Sequence, residues 1–320
     1  MSDENSLKQR LPAKALERLQ TLMLRDGVAT LIFDAAGLDQ LARDRMEIAV
    51  RDTLRDAEGV SEVRVALMAD KPRRRILAVG SGKGGVGKST LAANLAIALA
   101  KAGRKVGIVD ADIYGPSQPK LLGTEGDRPR AEGSKLIPVP SRFGIPMLSM
   151  GHLVEAGKAI AWRGPMAGNA LGQLIDAEWG DTELLVVDLP PGTGDVQLTM
   201  LQKYKPDGAV IVSTPQDLAL IDAQKAIDML RRMSVPVLGL VENMSYFIAP
   251  DTGYRYDIFG TGGAEKAATR LDIPFLGPVP LVMSIREGSD AGTPPLVTAP
   301  DGPEANAYRM VARRLVTTLA

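Results

Sequence analysis

Apolar and polar positions divide the chain into two parts with different patterns. The first part contains a helical run, a strand, a second helix and an alternating strand, at 15–24, 28–33, 38–57 and 63–67. Beyond residue 75, short apolar runs typical of buried strands alternate with longer runs at the helical period. We therefore expect a small α+β domain over residues 1–69, a basic linker at 70–75, and a larger α/β domain with a mostly parallel sheet over residues 76–320.

The candidate chemistry begins at the first strand of the larger domain. Residues 76–90 read ILAVGSGKGGVGKST, an apolar strand followed by a glycine-rich loop and the start of a helix. Within it, Gly82, Gly87, Lys88 and Ser89 fit the P-loop pattern G-x-x-x-x-G-K-[ST]. Glycines let backbone N–H groups turn toward a phosphate, and the following helix directs the positive end of its dipole at the same group. The pattern predicts a P-loop NTPase.

Each residue type in this loop has an expected task in binding ATP and Mg²⁺. The Lys88 ammonium can reach the β- and γ-phosphates, and the Ser89 hydroxyl can hold Mg²⁺. The predicted nucleotide-binding residues of the loop are Gly82, Lys83, Gly84, Gly85, Val86, Gly87, Lys88, Ser89 and Thr90.

Polar side chains at the ends of three later strands are expected to complete the site, because ligands of parallel sheets bind beyond the carboxyl ends of the strands. Asp188 follows the apolar run 184–187 and is the predicted second ligand of Mg²⁺. Asp112 follows the run 106–109 and is predicted to orient or deprotonate the attacking water; the alternative is that it caps a turn. Asn243 offers adenine both a donor and an acceptor; the alternative is a turn-forming asparagine.

Composition narrows the expected partners. The chain of 320 residues has 38 Lys and Arg residues and 38 Asp and Glu residues, so its formal net charge is zero. This charge does not favour binding to nucleic acid or to an anionic membrane. Aromatic residues make up only 4%, which argues against base-stacking surfaces. The chain starts with a polar, charged segment and contains no apolar run of transmembrane length, so we expect a cytoplasmic protein. It contains no cysteine, which excludes disulfides and thiolate chemistry.

A second lysine in the loop indicates a particular class of P-loop protein. Lys83 resembles the signature lysine of the deviant Walker A group, in the SIMIBI class, which includes MinD, ParA and the nitrogenase iron protein. The resemblance implies that Lys83 crosses a dimer interface to the partner's nucleotide and is catalytic together with Lys88 and Asp112. The alternative is a solvated lysine in the loop.

Longer motifs resemble one family in particular. They are SGKGGVGKST, VDADIYGPSQPKLLG, WRGPM, VVDLPPGTGD, STPQDLALIDAQKAI, VENMSYF and PFLGPVPLVMSIREGSDAGTPP. Residues 76–297 resemble the Mrp (ApbC-like) iron–sulfur cluster carrier ATPases, and residues 13–69 more weakly resemble the small domain that precedes the ATPase in many members. The resemblance implies a homodimer with ATP between its subunits, slow ATP hydrolysis, and delivery of clusters to apoproteins.

One departure from the family affects the expected cargo. The family places Cys-x-x-Cys after the Asn-Met-Ser-Tyr-Phe stretch to share a [4Fe–4S] cluster between subunits, whereas this chain has Ala249 and Thr252 there. Clusters are held mainly by thiolates, and the single histidine, His152, cannot replace a set of ligands. Three alternatives compete: an ATPase of the iron–sulfur cluster carrier family that acts in cluster assembly or in transfer to apoproteins, a cysteine-free nucleotide-switched dimer that assists or regulates a partner without holding a cluster, and a MinD/ParA-like positioning ATPase. Without cysteine, any role in cluster assembly would pass through a cysteine-bearing partner or homologue.

Overall fold

The structure, a computed structural model, describes residues 4–35, 37–68, 73–153 and 164–319. Part of the expected linker and the first two residues of the WRGPM motif lie outside these ranges. The chain divides into two compact units, Met1–Arg73 and Arg74–Ala320.

The smaller unit is built on a three-stranded sheet. Its elements are α1 (Glu4–Arg10), α2 (Ala13–Leu16), β1 (Leu19–Arg25), β2 (Val28–Asp34), α3 (Gln40–Leu54) and β3 (Glu62–Met68). Strand β2 is central, because it pairs antiparallel with β1 and parallel with β3, and α3 connects β2 to β3. Alternate side chains of β2 are buried in one cluster with Leu7, Val50 and Leu54, as expected for a sheet with one apolar face.

The helix expected at 15–24 is wrong. Only Ala13–Leu16 is helical there, and Leu19–Arg25 forms β1. Asp26 and Gly27 have φ of 49° and 80°, so they make the two-residue turn of a β-hairpin that brings β2 back along β1. This Asp-Gly pair is the sequence signal for the hairpin, and pairing with β2 outweighs the helical spacing of the apolar residues.

The larger unit has more elements, and most of them belong to one sheet and its covering helices. Its helices are α4 (Lys88–Lys101), α5 (Gln118–Leu122), α6 (Gly164–Ile175), α7 (Asp195–Tyr204), α8 (Asp217–Arg232), α9 (Gly263–Arg270), α10 (Met283–Asp290), α11 (Pro295–Thr298) and α12 (Pro303–Leu319). Its strands are β4 (Arg75–Ser81), β5 (Val106–Asp110), β6 (Arg130–Glu132), β7 (Lys135–Ile137), β8 (Val139–Pro140), β9 (Pro146–Ser149), β10 (Leu184–Asp188), β11 (Gly208–Ser213), β12 (Val237–Glu242), β13 (Phe247–Ile248), β14 (Arg255–Tyr256) and β15 (Phe275–Pro278).

The main sheet has eight strands in the order β15-β12-β11-β4-β10-β5-β9-β8. Every neighbouring pair is parallel except β8 with β9. The expected α/β class with a mostly parallel sheet is confirmed. Strand β4, which leads into the glycine-rich loop, lies between β10 and β11 in the middle of the sheet, so the loop emerges at the centre of one edge.

Two apolar clusters cover the two faces of this sheet. One contains side chains of α4 and α12, including Leu95 and Tyr308, and the other contains side chains of α6, α8 and α9, including Leu171 and Ile227. Strands β5, β10 and β11 are buried at every position, which explains why they read as continuous apolar runs and not as alternating ones. The polar residues at the ends of these apolar runs are therefore the first residues along each strand that can bind a ligand.

Candidate functional site

Two aspartates end neighbouring strands near the middle of the sheet. Strand β10 pairs with β5 in a register that sets Asp188 opposite Asp110. Residues in register on parallel strands point to the same face, and the strands are about 4.8 Å apart. Both side chains are fully buried. The topology therefore places two carboxylates side by side in the interior of the protein.

Lys88 provides a positive charge next to these carboxylates. Its Nζ lies 2.5 Å from Asp188 Oδ1 and 3.8 Å from Asp112 Oδ2, and its side chain is only 6% exposed. A buried charge is strongly unfavourable unless it is paired, so the two aspartates stabilise the buried ammonium. The structure thus brings together Lys88, Asp112 and Asp188, which the sequence analysis selected from separate segments.

The glycine-rich loop has the backbone that its sequence predicts. Gly85 and Gly87 have φ of 79° and 82°, in the left-handed region that side chains rarely adopt. A Cβ at Gly82 would lie 2.1 Å from the carbonyl carbon of Asp222, because the loop passes directly against α8. The loop leads into the first turn of α4, whose unsatisfied N–H groups form a position suited to a phosphate.

Asp110 lies in an environment that opposes its negative charge. Burial, followed by the charge of Asp188, raises the pKa of Asp110 to about 7. Hydrogen bonds donated by Gln118 N, Ser149 Oγ and Asp112 N, at 3.0, 3.0 and 3.2 Å, act in the opposite direction. Near neutral pH, Asp110 is therefore partly protonated in the ligand-free protein, and the sequence analysis gave it no role.

Asp112 uses its two oxygens differently. Its Oδ1 accepts hydrogen bonds from Tyr114 N and Gly115 N at 3.2 and 3.3 Å, which is the turn-capping geometry considered as an alternative. Its Oδ2 faces Lys88 and remains directed to the site. Lys83 is partly exposed, and it forms no ion pair within the ranges that the structure describes.

Asn243 follows the end of β12 and contacts the glycine-rich loop directly. Its Nδ2 donates to the carbonyl of Val86 at 2.8 Å, and a Cβ at Gly87 would lie 2.0 Å from the same nitrogen. The amide therefore holds the loop through one of the two N–H donors of its Nδ2. The contact with adenine stays a prediction.

Gln118 is a buried residue of this site that the sequence analysis missed. Its Nε2 donates to Asp188 Oδ2 at 2.8 Å and to the carbonyl of Ser89 at 2.9 Å. The only signal in the sequence is its position a few residues after Asp112, within the motif VDADIYGPSQPKLLG. Nothing in that spacing shows that the side chain turns back toward a strand seventy residues away, which depends on how α5 packs.

The residues present fit a nucleotide with Mg²⁺. The Ser89 hydroxyl lies 3.3 Å from Lys88 Nζ, which in turn contacts the Asp188 carboxylate, so two hard oxygen donors lie close together beside the lysine of the loop. Within the described ranges, no group of three or more His, Cys, Asp and Glu side chains is arranged to hold a metal ion.

The segment where the family carries its cysteines is a short hairpin. Strands β13 and β14 pair Phe247 with Tyr256, and the turn between them is closed by Ala249 N to the Tyr254 carbonyl at 2.9 Å. Ala249 is buried in this turn and Thr252 is exposed. A methyl group and a hydroxyl do not offer the soft ligands that an iron–sulfur cluster needs, so the donor set does not fit one.

Comparison with known proteins identifies the family. The chain matches the family described as ParA, NUBPL iron-transfer P-loop NTPase, over residues 73–316. The chain belongs to this family. A Deinococcus radiodurans protein named iron-sulfur cluster carrier protein is 48% identical, with 85% of this chain and 80% of that protein covered. An Escherichia coli protein of the same name is 51% identical, with 77% of this chain and 67% of that protein covered.

Solved structures agree with this membership of the ParA/NUBPL family. A nucleotide-binding protein of Archaeoglobus fulgidus in complex with ADP is 44% identical and has a TM-score of 0.60, over 68% of this chain and 86% of that one. The cell division ATPase MinD of Pyrococcus furiosus is 25% identical with a TM-score of 0.60, over 77% and 99%. The chain is therefore a nucleotide-binding ATPase with the deviant Walker A, SIMIBI-class fold. In the part of the chain that the structure describes, no helix has the length and apolar character needed to cross a membrane.

The raised pKa of Asp110 predicts how stability depends on pH in nucleotide-free, Mg²⁺-free protein. The folded pKa of about 7 lies above the unfolded value, so the folded state holds more protons between roughly pH 4 and 7. The free energy of unfolding should therefore fall as pH rises through this window, by at most about 1.4 kcal/mol per pH unit. Asp110→Asn should remove this slope, as measured by urea unfolding at several pH values.

Asp181→Asn is the matched control for this measurement. Asp181 is exposed and pairs with Lys105, before the start of β5, at the opposite end of that strand from Asp110. The control variant should keep the downward slope. If Asp110→Asn and the unmutated protein show the same slope, Asp110 is ionised throughout and its described environment is wrong.

Proposed function

We propose that this protein binds ATP and Mg²⁺ at residues 82–90 and uses ATP hydrolysis to assist the assembly or transfer of iron–sulfur clusters. The convergence of Lys88, Asp112 and Asp188 on the glycine-rich loop supports the nucleotide part. The names of relatives at 48% and 51% identity support the cluster part. We expect it to act in the cytoplasm, where ATP is supplied, with no nucleic acid or membrane as its partner.

The proposed chemistry follows from an exchange of partners around Lys88. In the ligand-free protein its ammonium neutralises Asp188, and β- and γ-phosphates would attract it away toward the loop. The Asp188 carboxylate and the Ser89 hydroxyl would then be free to hold Mg²⁺, which supplies charge neutralisation at the phosphates. Asp112, whose Oδ2 faces the same region, would orient the attacking water.

Identity favours the carrier role over a positioning role. Two relatives named iron-sulfur cluster carrier protein are 48% and 51% identical to this chain, whereas the MinD structure is 25% identical. The MinD structure shares the backbone fold with a TM-score of 0.60, so the difference in sequence identity, and not the fold, distinguishes the two groups. We therefore regard a MinD/ParA-like positioning role as the second candidate function.

Lys88→Ala should cripple nucleotide binding or turnover. The substitution removes the charge that would contact the phosphates, and loss of such a contact typically costs at least about a hundredfold in rate. Lys105→Ala is the matched control, because Lys105 is exposed at the other end of β5 from the site. Steady-state phosphate release measures both variants, and undiminished activity of Lys88→Ala would show that the ATP site lies elsewhere.

The proposed active form is a homodimer in which each subunit completes the other's site. Lys83 is partly exposed on the loop and has no ion-pair partner in the described part of its own chain, as expected for a group that acts outside it. Members of the deviant Walker A group are expected to place ATP between two such loops. Lys83 would then contribute its charge to the partner's phosphates while Asp112 acts in its own subunit.

Mixing two inactive variants tests this arrangement. Lys83→Ala and Asp112→Ala should each reduce hydrolysis more than ATP binding. In a mixed dimer, the Lys83→Ala subunit keeps its own Asp112 and receives Lys83 from the partner, so activity should reappear when the two variants are combined. Light scattering with ATP should show a dimer. Absence of recovery, with a protein that stays monomeric in ATP, would exclude the shared site.

The chain itself is proposed to hold no cluster, and a cysteine-bearing partner or homologue would supply the thiolates. Asp251, in the hairpin turn, is a hard ligand better suited to Mg²⁺ or Mn²⁺. Two exposed tyrosines of the hairpin support a contact with a protein, because Tyr254 and Tyr256 are 65% and 50% exposed. Aromatic residues are enriched at protein interfaces, so we propose this hairpin as the contact for such a partner, including Fe–S apoproteins.

Anaerobic reconstitution with iron and sulfide in the presence of ATP tests this proposal. After desalting, the unmutated chain should retain no iron and no charge-transfer absorption. Ala249→Cys with Thr252→Cys should retain both if the hairpin lies at the dimer axis. Ala249→Ser with Thr252→Ser is the matched control, since it changes the same positions without adding thiolates. A brown, iron-containing unmutated protein would show that the chain carries a cluster without cysteine.

A further inference from the structure

Gln118 connects three parts of the nucleotide site. Its side chain is fully buried, and its Nε2 donates to Asp188 Oδ2 at 2.8 Å and to the Ser89 carbonyl at 2.9 Å. Its backbone N–H donates to Asp110 Oδ2 at 3.0 Å. A single residue therefore contacts the ends of two strands and the first turn of α4.

The orientation of the Gln118 amide is fixed by these contacts. The two groups facing it, the Asp188 carboxylate and the Ser89 carbonyl, are both acceptors, so only the NH₂ end of the amide can face them. The opposite end, Oε1, is buried and has no hydrogen-bond donor among the described residues. The amide therefore makes its hydrogen bonds through its NH₂ end alone, and these go to the Asp188 carboxylate and the Ser89 carbonyl.

The two oxygens of Asp188 have different donors. Oδ1 accepts from the charged Lys88 and Oδ2 accepts from the neutral Gln118. If Lys88 moves to a phosphate, Oδ1 loses its partner and becomes available to a cation. Gln118 has no charge to be drawn away, so it can hold Oδ2 and keep the carboxylate in the same orientation throughout.

We propose that Gln118 is a positioning residue that holds the Asp188 carboxylate in the orientation needed to bind the divalent cation. This inference rests on the proposed function, since it takes Asp188 as a ligand of the cation. Methionine can fill the volume of the glutamine side chain but cannot donate to Oδ2. Loss of such a supporting hydrogen bond typically lowers metal affinity by about 10–100-fold.

Binding of Mn²⁺ to the full-length, ADP-loaded protein tests the inference without any hydrolysis. Electron paramagnetic resonance counts free and bound Mn²⁺ in a titration and gives its Kd. Gln118→Met should raise this Kd by about tenfold, while the Kd of ADP measured in EDTA stays unchanged. Gln118→Asn, which keeps an amide but shortens its reach to Asp188, should show the same rise and serves if the methionine variant does not fold.

Gln197→Met is the matched control. Gln197 is also fully buried with an unpartnered Oε1, but its Nε2 donates to the carbonyl of Pro190 and not to a carboxylate. Its Kd for Mn²⁺ should equal that of the unmutated protein. An unchanged Kd in both Gln118 variants, or an equal rise in Gln197→Met, would overturn the positioning role. Failure of the unmutated protein to bind ADP would instead overturn the proposed function, and this inference with it.

Discussion

The nucleotide site depends on a pair of buried carboxylates that cannot both be charged without a nearby cation. Asp110 and Asp188 are in register on adjacent strands, and burial together with the charge of Asp188 raises the pKa of Asp110 to about 7. In the ligand-free protein, the cation is Lys88, whose Nζ contacts Asp188. Lys88 of the loop and Asp188 of β10 therefore form an ion pair, although they are far apart in the chain.

The ion pair of Lys88 and Asp188 explains why the residue that donates to the other oxygen of Asp188, Gln118, is a neutral amide. A cation in place of Gln118 would compete with Mg²⁺ for Asp188, and a carboxylate there would add negative charge near Asp110, whose pKa burial and the charge of Asp188 already raise. Gln118 avoids both problems, because it donates to Asp188 and carries no charge. The backbone N–H groups on Asp110 act in the same way, so the site is stabilised by dipoles that remain in place when Lys88 changes partners.

The sequence predicts the parts of this site that are local in the chain. The glycine-rich loop, Lys88 and Ser89 are recognisable because the motif is continuous, and Asp188 is recognisable because it ends an apolar run. The protonation of Asp110 depends on the register of β5 and β10, and the contact of Gln118 with Asp188 depends on the packing of α5. Neither can be predicted from the spacing of residues along the chain. The misassigned helix at 15–24 has a different cause, since the Asp26-Gly27 turn signal is local but the prediction gives the helical spacing of the apolar residues more weight than the pairing of β1 with β2.

The absence of cysteine affects the ligands available in the hairpin of β13 and β14. Asn243, which precedes this hairpin, contacts the nucleotide site. Asn243 bonds the Val86 carbonyl of the loop, and β13 starts four residues later at Phe247. One short segment therefore contacts the glycine-rich loop and continues into a hairpin whose turn, with Ala249 and Thr252, offers no thiolate. Because clusters are held mainly by thiolates, a role of this chain in cluster assembly would need thiolates from a partner.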